Sequence, residues 1–322
     1  MWLERNLAML QAGRSTPWST PFLKTASHIG IGVCLLLAGC TREEPVPAPT
    51  YTSKPNVADK LTHYIFTVHP LHNPQLLHQK FQPLMQYLDN HIPGVQFDLD
   101  ASSDYADYER KLRAGQTHFS LPNPYHAALA RDWGYHVIAK MSDDSLFRGV
   151  FVVRKDSPIR EPADLRGKVV SYPAPTALAA AMLPQLYLQD RGIDVETELT
   201  NRYVGTHNSA IMNAYLGQSA AGVTWPVAWK AFQEANPKEA AELYLIWQTP
   251  NLIQNAIIVR NDVPADLANT VRGLLTGLQD TPAGREILDR IDTSSFETAD
   301  DKRFDVVLAF LKEYKTRVKK EK

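Results

Sequence analysis

Cysteine is nearly absent: Cys34 and Cys40 are the two in 322 residues. Charge of either sign is not in excess, with 34 Lys and Arg against 35 Asp and Glu, so the basic face of a nucleic-acid binder is not to be expected. The apolar run IGIGVCLLLA at residues 29–38 is too short to cross a bilayer as a helix, which takes about 20 residues. There is no glycine-rich phosphate cradle and no GxSxG elbow, which removes the usual footholds for an enzymatic reading, and no cofactor is expected. His63, His69, His72, His78 and His91 crowd one stretch, but His69 and His72 lack a carboxylate or cysteine at ligand spacing, so a metal is not expected either. Asp98, Asp100 and Asp104 could suggest paired acids, yet they suit a solvated acidic loop better.

What the apolar run does carry is a targeting signal. Lys24 and His28 precede it, and Cys40 stands at its seam with the polar stretch TREEPVPAPT. The tetrad LAGC at residues 37–40 matches the bacterial lipobox, in which the cysteine becomes the lipidated first residue; residues 1–39 are then a lipoprotein signal peptide. A buried helix with an incidental cysteine is the competing reading, and the Pro-rich stretch that follows at once argues against it. The segment before Ile29 is long for a signal, which leaves a true start at Met9 or later open. Loss of the leader removes Cys34, three basic residues and Glu4, which leaves 31 basic against 34 acidic residues and no thiol to pair. Residues 40–60, from lipidated Cys40 through a run rich in Pro, Ser, Thr and charge, read as a flexible tether.

Residues 61–322 suffice for two medium lobes. HYIFTVH at 63–69 is β-rich, LLHQKFQPLMQYLDNH at 76–91 has helical spacing, and residues 95–99 alternate as a strand. A helix over 105–114, a strand over 118–121, a helix over 125–133 and a strand over 136–141 continue the βα alternation. Such repetition predicts an open α/β sheet with ligands at the carboxyl ends of its strands. FRGVFVVR at 147–154 and NAIIVR at 255–260 each run into a turn-like patch and look like paired crossings between two lobes. Between them, a strand at 168–171, a helix over 178–191, strands at 202–204, 221–223 and 243–247 and a helix over 209–217 form a second α/β unit. The expected organisation is therefore a first lobe over 61–153, a second over 154–254, and a return to the first over 255–322, with hinges at the crossings.

Five segments in this order resemble the solute-binding lipoproteins of ABC importers, in the family that includes phosphonate, phosphite and phosphate binders and, more distantly, sulfonate binders. They are FQPLMQYLDNHIPG at 81–94, LPNPYHAALA at 121–130, FRGVFVVRKDSPIREPADLRGKVVSYP at 147–173, GTHNSAIMNAYLGQSAAGVTW at 205–225 and TPNLIQNAIIVRNDVP at 249–264. The resemblance implies a two-lobed type II periplasmic-binding fold, each lobe a mainly parallel sheet flanked by helices, with an oxyanion held in the cleft. It also implies an ABC permease and ATPase as partners. A monomer is expected, held at the membrane through Cys40 on the periplasmic or cell-surface side. A sensory lipoprotein of the same fold, or a binder of a sulfonate, carboxylate or neutral solute, is the alternative.

Candidate contacts follow strands. Tyr125 in PNPY follows a strand and opens a helix at the rim of the cleft, where its hydroxyl can donate to an oxyanion and its ring can cover it, and His207 in GTHNSA opens a helix where outward backbone N–H groups and the helix dipole favour an anion; the resemblance implies a ligand-contacting tyrosine and histidine at these places. Packing by Tyr125, and helix capping by His207 or Asn208, are the structural alternatives. In SYPAPTALAAAMLP the family pattern implies a Ser-Thr-Ser-Gly run; this chain has Ala177, Leu178, Ala179 and Ala180 there, and Thr176 supplies the one nearby hydroxyl. Asn255 stands where the family implies an aspartate, so a carboxylate acceptor is lost. His72 and Asn73, in the loop HPLHNP after the first strand, face the same cleft. Trp225 and Trp229 share a predicted helix face in the core, although Trp225, directly after a strand, can line the cleft. The C-terminal stretch from Lys302 reads as an amphipathic helix with Phe304, Val307, Leu308 and Leu311 on one side, packed on the first lobe.

Overall fold

The computed structural model describes residues 61–319; the leader, Cys40 and the tether lie outside them. The first lobe begins with β1 (Thr62–Val68), α1 (Pro74–His91), β2 (Val95–Ala101), α2 (Tyr105–Arg113), β3 (Phe119–Leu121), α3 (Pro124–Ala130) and β4 (Tyr135–Met141). The second holds β5 (Val150–Arg154), β6 (Val169–Tyr172), α4 (Leu183–Gln189), β7 (Thr200–Tyr203), α5 (His207–Tyr215), β8 (Ala221–Thr224), α6 (Pro226–Ala235), α7 (Pro237–Ala241) and β9 (Leu243–Gln248). The chain then returns through β10 (Ala256–Arg260), α8 (Ala265–Thr276), α9 (Pro282–Arg290), β11 (Phe296–Thr298) and α10 (Asp305–Tyr314). Among the described residues, no helix is long and apolar enough to cross a membrane.

Local chemistry accounts for these elements. In α1, Asn73 accepts from the Leu76 N–H and Pro74 opens the first turn; Leu77, Phe81, Leu84, Met85 and Leu88 then recur at helical spacing and are buried. Asp104 caps α2 by accepting from the Asp107 N–H. The acidic stretch is a solvated face, with Asp98 bonded to His63 at 2.7 Å and Asp100 to Lys111 at 2.9 Å. Over 178–182 the helix expected to begin at Leu178 is a wide π turn, continued by α4. Pro184 has no N–H to give the Ala180 carbonyl and its ring crowds that oxygen, so the turn before it widens.

The two sheets have the orders β11-β4-β10-β3-β1-β2 and β7-β6-β8-β5-β9. Within the first, β1, β2, β3 and β4 run one way while β10 and β11 oppose them; within the second, β5 alone runs against the rest. Each strand that follows a crossing thus enters its new sheet antiparallel. The strands at 150–154 and 256–260 lie in different sheets and do not pair with each other, so the expected pairing falls on the segments before and beside them. The Leu252 N–H donates to the Phe147 carbonyl and the Thr249 N–H to the Gly149 carbonyl, at 2.9 Å each. β5 belongs to the second sheet, so the first crossing lies over 142–149 rather than at 153–154.

Lys140, fully buried, fastens this hinge. Its ammonium reaches Asp144 and Glu297 at 2.8 Å, and the same Asp144 oxygen accepts from the Gln254 N–H. The C-terminal segment departs from its predicted face, since Leu308 is exposed whereas Phe304, Val307, Phe310, Tyr314 and Val318 are buried. α10 packs on α3 of the first lobe, and the turn after it packs on α4 of the second, with Tyr314 bonded to Gln185, Arg317 to Asp190 and Lys319 to Glu196.

Gly149 marks where the crossing passes closest to the π turn. A Cβ there would lie 2.4 Å from the Pro184 ring and 2.5 Å from the Ala179 carbonyl oxygen. Gly149→Ala is expected to cost about 1–3 kcal/mol through overpacking, read as a lower midpoint in urea unfolding. An unchanged midpoint would mean that the 178–182 turn shifts freely.

Candidate ligand-binding site

The carboxyl ends of strands from both sheets converge on one cavity. From the first lobe come His69, directly after β1, Tyr105 at the start of α2, and Asn123, which caps α3. From the second come Ala177 to Ala180 after β6, His207 at the start of α5 and Trp225, which precedes α6. Phe147, on the crossing, closes the hinge side. Free volume inside is about 10 Å³, room for about one water, so the lobes must part before a tetrahedral oxyanion can enter.

Two hydrogen bonds tie the lobes across this cavity. Tyr105 Oη lies 3.3 Å from His207 Nε2, and Asn123 Nδ2 donates to the Thr176 carbonyl at 3.0 Å. Behind them each polar group has a support. His207 Nδ1 is 3.0 Å from Thr224 Oγ1, His69 Nδ1 is 2.9 Å from the Leu121 carbonyl, and Asn123 Oδ1 accepts from the His126 backbone at 3.1 Å and from its ring at 3.0 Å. At the rim, Lys230 of α6 reaches Asp292 of the first lobe at 3.0 Å; Asp292 also holds Lys80 and adopts the left-handed conformation with φ 55°.

Among the described residues, no lysine, arginine or carboxylate lines the cavity. The imidazoles are neutral: burial lowers both His69 and His207 from 6.5 to about 3, helped by their mutual repulsion with neighbouring histidines. Burial also raises the Tyr105 hydroxyl above its usual range, so it remains a donor. The peptide N–H groups of Leu178, Ala179 and Ala180 open the helical run and have no helical acceptor by geometry. The arrangement offers an anion neutral donors in a desolvated place, beside an apolar wall of Ala177, Leu178, Phe147 and Trp225.

The sequence-predicted residues are distributed unevenly. Ala177 and His207 line the cavity, and Thr176 contributes its carbonyl to the bond from Asn123 while its side chain is half-buried. His72 and Asn208 line a second cavity of about 140 Å³ that shares His207 with the first. Tyr125 is not among the lining residues: it is half-buried on α3, its ring edge-on to His126 at 5.0 Å. Asn255, just before β10, is fully buried within the first lobe and is not among the residues lining the cavity; its Nδ2 reaches Met141 Sδ at 3.8 Å and its Oδ1 has no partner among the described residues. Trp225 lines the cavity, whereas Trp229 stacks on Phe232 in a separate small core. Tyr105, Asn123 and His69 were missed as contacts, although each follows a strand and the same positional rule reaches them.

Residues 66–304, most of the chain, match the family described as ABC transporter, phosphonate, periplasmic substrate-binding protein. A relative from Prochlorococcus marinus (strain MIT 9301), the probable ABC transporter phosphite-binding protein PhnD1, is 20% identical over 181 residues, 52% of this chain and 61% of the relative. The match thus spans less than two thirds of that relative's length. The crystal structure of a binding protein component of an ABC phosphonate transporter from Pseudomonas aeruginosa superposes with a TM-score of 0.72 at 15% identity, covering 79% of this chain and 87% of that one. PhnD1 in complex with methylphosphonate superposes with a TM-score of 0.71 at 18% identity, covering 79% and 98%. At such identities these two likenesses are of fold.

Neutral buried histidines make stability depend on pH in a defined direction. In the unfolded chain they take up protons below about 6.5, whereas folded His69 and His207 do so only near 3. Stability therefore falls on acidification through that window, by up to about 1.4 kcal/mol per pH unit for each histidine. Urea unfolding at several pH values is expected to show this slope, and His207→Gln to make it shallower by one such increment. Equal slopes in the two proteins would place His207 in contact with water.

Proposed function

Because the chain belongs to the periplasmic phosphonate-binding family of ABC transporters, we propose that its cleft captures a small oxyanion, phosphonate-, phosphite- or phosphate-like, and presents it to a membrane permease with its ATPase. The observation that carries this reading is the cavity between the lobes, with Tyr105 and Asn123 on one side bonded to His207 and Thr176 on the other. Groups that now satisfy each other across the cleft are the groups a ligand would engage once the lobes part. The ligand then replaces weak interlobe bonds with charge-assisted ones, and closure is favoured by that difference in affinity. The protein's part is equilibrium capture without turnover, by a monomer tethered to the membrane through lipidated Cys40.

Hydroxyls are scarce at this site compared with the pattern the family resemblance implies. Peptide N–H groups of residues 178–180, Tyr105, Asn123 and His207 carry the polar recognition in their place. Thermal unfolding of the full chain with phosphate, phosphite, methylphosphonate, 2-aminoethylphosphonate, sulfonates and small carboxylates tests the reading. A ligand at about a hundredfold over its Kd is expected to add about 2.7 kcal/mol of stability, and His207→Ala or Tyr105→Phe to remove most of that gain. A panel in which no phosphorus oxyanion shifts the transition, while a sulfonate or a neutral solute does, would sink the phosphonate assignment.

A further inference from the structure

We propose that His69 lets this cleft tell a protonated oxyanion from a fully ionised one: its Nε2 accepts a hydrogen bond from an acidic hydroxyl of the bound ligand. The ligand class so selected is the phosphoryl-type monoanion, which keeps one P–OH, over a sulfonate of similar shape, which has none. This deepens the oxyanion reading above and rests on it.

Geometry assigns the role. His69 stands on the loop after β1, is 3% exposed and lines the cavity. Its Nδ1 is 2.9 Å from the Leu121 carbonyl, and a carbonyl can only accept, so the ring hydrogen sits on Nδ1. In a neutral imidazole the other nitrogen then carries a lone pair and no hydrogen, and burial keeps the ring neutral, with its pKa lowered to about 3. Of the other polar side chains of the cavity, Tyr105 and Asn123 carry hydrogens to donate, and His207 Nδ1 meets the Thr224 hydroxyl, which can donate or accept and so does not fix that ring's tautomer. Asn255, where the family pattern implies a carboxylate acceptor, is buried in the first lobe, so the cavity has no carboxylate to take a ligand proton.

The surroundings hold this state. From α2, Tyr105 and Tyr108 face the ring at 6.2 and 6.4 Å, both kept protonated by burial. From α3 comes His126, itself 3.4 Å from Glu109. The loop of His69 contributes His72, near Lys80 and Asp292, and α5 contributes His207. Formal charges therefore stand one residue removed from His69. A sulfonate oxygen at Nε2 would set lone pair against lone pair, and a site built around a ligand hydroxyl rejects the analogue that lacks it by large factors, up to about 10⁴–10⁵.

The hydrogen stays on the ligand oxygen or is shared with Nε2, and in either case the complex holds one proton that the free dianion lacks. Affinity for methylphosphonate is accordingly expected to fall about tenfold per pH unit above the second ionisation of methylphosphonate itself, which a titration of the free ligand gives. Titration calorimetry of the full chain with methylphosphonate and methanesulfonate reads this directly. The wild-type protein is expected to prefer methylphosphonate by about a hundredfold or more near neutrality, and His69→Gln, whose amide can donate, to narrow that gap to less than about tenfold. Methylphosphonate binding that does not change with pH, or methanesulfonate binding of equal strength, overturns the role of His69 while leaving oxyanion capture in place. Failure to bind methylphosphonate at any pH overturns both. The unliganded melting transition of His69→Gln reports whether the variant folds; where it does not, the wild-type selectivity and pH profile decide.

Discussion

The two passages of the chain between the sheets run side by side, and everything in the cleft is positioned from them. Phe147 and Gly149 offer their carbonyls to Leu252 and Thr249, while buried Lys140 draws in Asp144, whose carboxylate also holds the Gln254 N–H. A bend confined to such a double crossing moves one lobe as a body relative to the other. Breaking the buried lysine from its partners would leave charges without compensation, which opposes any other deformation. Phe147 sits on this crossing and lines the cavity, so the hinge and the binding place share one residue.

Contacts between the lobes differ in kind with distance from the hinge. Inside the cavity they are neutral hydrogen bonds, each worth about 0.5–1.5 kcal/mol net. Outside they are ion pairs: exposed Lys230 with largely buried Asp292 on one flank, and on the other the more exposed pairs of Arg317 and Lys319 with Asp190 and Glu196. Such pairs contribute little in water and are screened by salt. A ligand whose charge is met by desolvated donors gains contacts in the closed state that the open state lacks, and that difference in affinity brings the lobes together. The C-terminal turn adds a bridge distant from the cavity, because the helix it ends packs on the first lobe while its last residues reach α4 of the second.

Neutrality is the chemical signature of the site. A cationic side chain would hold any anion by charge alone; here selection depends on which atoms carry hydrogens. Peptide N–H groups, a tyrosine hydroxyl and an asparagine amide donate, and His69 Nε2 accepts. Depressed imidazole basicity follows from burial between two lobes, so it is a property of their being together rather than of any residue alone.

Periodicity in the sequence was enough for the βα alternation and the two lobes, because strand and helix spacing are local, whereas the place of the first crossing, over 142–149, depends on which sheet β5 joins. His207 and Ala177 were legible as cleft residues since both follow a strand, where open α/β sheets place ligands. The same rule also admitted Tyr125, and could not separate it from Tyr105, because which side chain turns inward depends on helix rotation and on the neighbour it meets across the cleft. Asn255 shows the limit most plainly: it directly precedes a strand like other cleft candidates, yet it is buried in the first lobe. The sequence by itself determined the fold class and the end of the sheets at which the cavity between the lobes lies. Only the tertiary structure decided which groups face one another, and which ring nitrogen of His69 is left bare, because those depend on the Leu121 carbonyl 52 residues away in the chain, brought beside it by strand pairing.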